Sequence, residues 1–138
     1  MMPLPFLRGR PRNIGLLNGR LNACPSSPNC VSSDAVTARH AIDPLHLSIA
    51  PAAAWISAVT AVRTSVRTRI VTETPDYLHA ECTSALFGFV DDLELHLRPD
   101  EHIIAVRSAS RLGYADFGVN RSRVEKLRAM LREQGVAS

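Results

Sequence analysis

The sequence predicts a two-layer α+β domain: an antiparallel sheet of about four strands, two helices on one face, and an irregular N-terminal loop region. Three observations carry that expectation. Runs of period two follow one another between residues 68 and 109 with hairpin-length links. Apolar residues at helical spacing stand on either side of them, at about 51–66 and after Ser122. The first fifty residues are rich in Pro, Asn, Ser and Gly and show no period. A chain of 138 residues has the size of one domain, and its 46% apolar and 21% charged residues exclude wholesale disorder.

The chain divides into a flexible basic arm, residues 1–14, and a single α+β domain, residues 15–135. Arg8, Arg10, Arg12 and Arg20 all precede the first acid, Asp34, although the net charge is only +3. Such an arm is either a solvated terminus or a track for phosphates or an anionic membrane surface. It has no aromatic interleaving and no groove-reading motif, so nucleic acid is not an expected partner. No apolar run reaches the ~20 residues of a membrane-spanning helix, and arginines interrupt the opening apolar residues, so the chain as written reads as cytoplasmic.

Cys24-Pro-Ser-Ser-Pro-Asn-Cys30 matches neither a zinc hairpin nor a redox C-x-x-C pair. With Cys82 the total is three, and an odd count without an export signal reads as reduced thiols. Packed thiols, a disulfide and a metal site remain open in that order. A metal would need His40, His46 or His79, and no spacing recommends them; no metal or cofactor is expected.

Pro51 suits a first helical turn, and Ala52, Trp55, Ile56, Val59 and Val62 then mark the buried face of the first helix. Strands follow at 68–74, 77–84, about 87–97 and about 102–109. Leu78, Ala80 and Cys82 share one face of the second, so Cys82 is a small buried hydrophobe. Phe87, Phe89, Leu93, Leu95 and Leu97 share the core face of the third. Arg98-Pro-Asp-Glu101 is a hairpin connection that pairs Leu97 with His102, Leu95 with Ile104, Leu93 with Val106 and Asp91 with Ser108. On the other face Asp92 then lies across from Arg107. The last helix opens on Ser122-Arg-Val-Glu125, which fits a capping box, and continues through Val124, Leu127 and Leu131 towards Gly135.

The third and fourth strands therefore turn polar at one end of the core face. A carboxylate there must be hydrogen-bonded, paired or neutralised. The donor-rich segment after the fourth strand leads into a helix start, which favours anions. Asp91, Ser108, Ser110, Arg111, Tyr114, Asp116 and Arg121 thus form a candidate ligand cleft. In one reading Arg111 or Arg121 grips an anionic group; in the other Arg111 pairs with Asp91 or Asp116 and pins a loop.

The cysteine loop through Ser33, Phe89-Val-Asp-Asp92, and Arg107-Ser-Ala-Ser-Arg-Leu-Gly-Tyr-Ala-Asp-Phe-Gly-Val-Asn-Arg121 together resemble the family catalogued as domain of unknown function 1499. The resemblance runs from about Gly15 to Leu131. It implies a compact bacterial domain with relatives in photosynthetic eukaryotes, some carrying an N-terminal membrane or export segment, hence envelope association as an alternative location. It implies no activity. Three roles are carried forward in this order. The first is a non-catalytic binder of a small anionic or amphiphilic ligand, the second an envelope-associated accessory protein, and the third an enzyme with Asp91 or Asp116 as acid/base and Arg111 positioning substrate.

Overall fold

Residues 10–113 and 117–138 are described by a computed structural model. In chain order, β1 (Leu16–Leu17) and β2 (Arg20–Leu21) make a small hairpin, and β3 (Cys30–Ser32) and β4 (Leu45–His46) are short strands. Then come α1 (Pro51–Arg63), β5 (Thr68–Glu73), β6 (Tyr77–Thr83), β7 (Val90–Arg98), β8 (Ile103–Ser110) and α2 (Val119–Glu133). The four period-two runs are thus strands, and the two apolar stripes are helices on one face. The strand count is higher than expected. The main sheet has six strands in the order β3, β8, β7, β6, β5, with β4 lying beside the other end of β8. The two extra strands are two and three residues long. No periodicity can show in runs so short.

The β7–β8 link is a 3-10 turn, Pro99–Glu101, closed by His102 in the left-handed region at φ 58°. It pairs Leu97 with Ile104, Leu95 with Val106, Leu93 with Ser108 and Asp91 with Ser110. The register therefore differs from the expected one by two residues. An even shift keeps every side chain on its face. Asp91 stays on the helix side and is buried. Across the other face, Arg107 lies opposite Glu94 rather than Asp92.

The core lies between the helices and the sheet. Trp55, Val59 and Val62 of α1 and Val124, Leu127 and Leu131 of α2 pack on Leu78, Leu93, Leu95, Ile104 and Val106. Small Ala54, Ala58 and Ala61 complete the buried side of α1, while Ile56, expected in the core, faces solvent. Thr64 and Ser65 hydroxyls donate back to the carbonyls of Thr60 and Ala61 and end α1 slightly early. The helix α2 starts a turn before the expected capping box, with Gly118 at φ 80° as N-cap and Ser122 exposed inside the first turns. Phe87 and Phe89 are also displaced from the expectation. They stand in the β6–β7 loop, because β7 begins only at Val90, and their rings pack on each other with centroids 5.4 Å apart.

The outer face of the sheet is covered too. Residues 10–23 lie over it, and Asp34, just past β3, closes one side. Leu21 joins Tyr77 and Ala105 in a small second core, the Gly15 amide donates to Glu94, and the Ala23 carbonyl accepts from Arg107.

Candidate functional site

Alternation places two polar assemblies on opposite faces of the same strands. On the outer face, Tyr77, His79 and Glu81 of β6 stand beside Asp92, Glu94, His96 and Arg98 of β7 and Arg107 of β8. Tyr77 Oη donates to Glu94 at 2.6 Å, and Arg107 meets the other oxygen of Glu94 at 3.3 Å. His79 Nε2 lies 2.7 Å from Asp92, with both side chains 2% exposed. Arg111 binds Asp92 through two nitrogens and reaches Glu81, which Arg10 and Arg69 also pair. Arg98 clamps Asp34 bidentately at 2.8 and 2.6 Å, and Arg20 and the Leu21 amide complete that carboxylate's shell.

The electrostatics of this face are those of mutual compensation. Burial works to raise the pKa of Asp34, Glu81 and Asp92, yet their arginine hydrogen bonds, with His79 adding to Asp92, win and hold all three below the usual carboxylate value. Arg111 is raised, chiefly by its hydrogen bonds to Asp92. Burial, aided by Glu94, pushes the Tyr77 phenol far up, and burial followed by the Arg98 charge lowers His96. His79, Glu81 and Asp92 bring three ligand-type atoms within 4.8 Å of one another. Arg111 already neutralises both carboxylates, so a metal would have to displace a bidentate arginine.

The helix face holds the second assembly. Ser108 Oγ donates to Asn120 Oδ1 at 2.6 Å, and Asn120 Nδ2 donates to Ser110 Oγ and to the Asn29 carbonyl. Asn29 in turn donates to the Gly113 carbonyl and accepts from Ser27. Arg123 donates to Ser108 and Asn120 and pairs with Asp91 at 2.8 Å. Just before Cys30, Asn29 is held by the cysteine loop, and Cys24 and Cys30 are joined by a disulfide with Cα atoms 5.7 Å apart. This corrects the expected reduced thiols: the count of three leaves one partnerless cysteine, and that one is the buried Cys82.

Against this assembly opens a cleft of about 620 Å³ between the end of α1, the start of α2 and the sheet. Val62, Val66, Leu93, Leu127, Met130 and Cys82 give it apolar walls, Asp91 and Arg123 its polar end, and Arg67 and Lys126 two further cations. Arg67 and Lys126 are exposed, and among the described residues neither has an ion-pair partner. Burial pushes the Cys82 thiol up, away from its reactive thiolate form.

The seven expected residues are therefore not all brought together. Asp91, Ser108 and Ser110 share the polar end of the core face. Arg111 belongs to the opposite face, because the strand alternates once more beyond Ser110. Arg121 is exposed and donates to the Ala41 carbonyl. Tyr114 and Asp116 lie outside the described residues. Sequence reasoning missed Asn29, Asn120 and Arg123. Asn120 and Arg123 are three positions apart on α2 and so point to one side of it, a signal that was present but obscured by the later helix start.

The model of the family described as a protein of unknown function (DUF1499) matches residues 20–131. No curated protein and no solved structure matches the chain. The family match covers the cysteine loop, the sheet and nearly all of α2, so the cleft and both polar assemblies lie inside it almost entirely. The chain belongs to the DUF1499 family.

Proposed function

We propose that this domain is a non-catalytic binder of a small anionic amphiphile, held with its tail between α1, α2 and the sheet and its charge near Arg67, Arg123 and Lys126. The observation that carries this reading is the cleft itself. Its volume of about 620 Å³ falls within the range of small-molecule sites, and its walls are apolar with a few convergent polar groups. Among the described residues that line it, Arg67, Arg123 and Lys126 face a single carboxylate, Asp91, which Arg123 already pairs. The unbalanced charge favours an anionic head.

Two features favour binding over turnover. Asp91 forms an ion pair with Arg123, and burial pushes the Cys82 thiol away from ionisation. Thermal unfolding in the presence of dodecyl phosphate, dodecanol or inorganic phosphate tests the reading. Dodecyl phosphate should raise Tm in a concentration-dependent way, dodecanol should bind about tenfold more weakly, and phosphate alone should do nothing. Equal stabilisation by phosphate, or none by any of the three, would sink it. The amphiphile recovered chemically unchanged after long incubation would separate a binder from an enzyme.

A further inference from the structure

Among the described residues, one end of the sheet gathers several of the large exposed apolar side chains. The Thr83 amide bonds the Arg67 carbonyl, the Ser84 amide bonds the Phe89 carbonyl, and the Arg111 amide bonds the Val90 carbonyl. The α1–β5, β6–β7 and β8–α2 connections are thereby neighbours at that end. They carry Val66 at 72% exposure, Leu86 at 79%, Phe87 at 62% and Phe117 at 98%, with Phe89 and Leu112 beside them. Val66 and Phe117 are also at the cleft, so this apolar tip surrounds its mouth. Large exposed apolar groups gathered on one surface mark an interaction site.

We infer that this tip docks on an anionic lipid bilayer, with the Phe87 and Phe117 side chains dipping into the interface and Arg67 and Lys126 meeting lipid phosphates. Charge decides between occupants. A two-fold contact with a second copy would set this patch against itself and bring Arg67 and Lys126, which have no ion-pair partner among the described residues, near the same cations of the other chain. An anionic bilayer offers hydrocarbon to the rings and negative charge to the cations, and attraction by even a few basic residues adds to apolar insertion. Arg67 and Lys126 serve both this surface and the proposed cleft ligand, whereas Leu86 and Phe87, which do not line the cleft, belong to this surface alone.

Co-sedimentation with vesicles tests it, using phosphatidylcholine alone and phosphatidylcholine with about one-quarter phosphatidylglycerol. The full chain should pellet with the anionic vesicles only, and less at high salt. The Phe87→Ser/Phe117→Ser variant should lose that binding by about tenfold or more per ring with Tm unchanged. As a second, independent variant, Arg67→Glu/Lys126→Glu should lose selectivity for the anionic vesicles. Ser122→Trp, which fills the cleft wall, should still pellet. No binding to either vesicle, or binding that the ring and charge variants leave intact, would overturn the docking surface. So would loss on Ser122→Trp, which would mean that only lipid drawn into the cleft holds the protein. A dimer of the free protein that the Phe87→Ser/Phe117→Ser variant dissociates would overturn it in favour of a protein contact.

Discussion

The two faces of the sheet use polar residues in opposite ways. On the outer face the charges are shut in beneath residues 10–23, and each carboxylate of this set has an arginine: Asp34 with Arg98, Asp92 with Arg111, Glu94 with Arg107. On the helix face the polar end opens into a cleft where two cations have no ion-pair partner among the described residues. A buried network whose charges are all paired specifies and rigidifies a structure, even though Arg107 Nε has no hydrogen-bond partner among the described residues. A partly compensated one beside an apolar cavity leaves interactions for another molecule to complete. The family match spans residues of both faces, which is why it alone does not say which face is functional.

The sharpest way to break this contrast is to remove one arginine from each face. Arg107→Met leaves Glu94 buried without its cation and should cost about 3–5 kcal/mol of stability by denaturant unfolding. Arg123→Met, at the more open end, should cost only about 1–2 kcal/mol, because water can reach Asp91. Equal losses would show that the two networks are equally closed. Next in size is the disulfide. Cys24→Ser/Cys30→Ser frees a short loop and should cost about 2 kcal/mol, seen as a lower midpoint under non-reducing conditions.

The pH dependence sharpens the same comparison. Asp34, Glu81 and Asp92 have folded pKa values below their unfolded ones. Their stabilisation is therefore present above the ordinary carboxylate range, about pH 4, and lost as pH falls through the depressed values. His96 is also depressed, so it begins to withdraw stability a little below pH 6.5. Tyr77 is raised, and its contribution is lost above about pH 10, where the unfolded phenol ionises. Thermal midpoints across pH should thus fall at both ends. An Asp92→Asn variant should show a shallower acid limb, and an unchanged limb would remove Asp92 from this account. The smallest expected effect is on the cleft: Lys126→Ala should change stability by less than about 0.5 kcal/mol yet weaken dodecyl phosphate binding severalfold, read by titration.

Much of this architecture was legible in the residues. The alternation of Leu93, Leu95 and Leu97 set the faces of β7, and the even register shift made by His102 left that assignment intact. Trp55, Val59 and Val62 marked the buried stripe of α1. What stayed hidden depended on contacts distant in sequence. Ile56 is exposed because small alanines occupy the face expected of it. The short β3 and β4 are strands only because β8 has a free edge to accept them. His79, Glu81, Asp92 and Glu94 alternate like a solvent-facing side, and nothing local says that Leu21 and Gly15 will cover them. Asp91 and Ser108 pointed to the cleft; Arg123, Arg67 and Lys126, which supply its charge, converge from two separate elements.

On the proposed reading the cleft, and not the covered face, receives an anionic amphiphile. The most direct measurement is paramagnetic broadening of backbone amide signals by a spin-labelled alkyl phosphate. Amides of Val66, Ser84 and Ser122, at the cleft, should be bleached at low probe concentration, while those of Gly15, Leu21 and Glu94 should keep their intensity. Bleaching centred on the outer-face amides, or spread evenly over both faces, would contradict it.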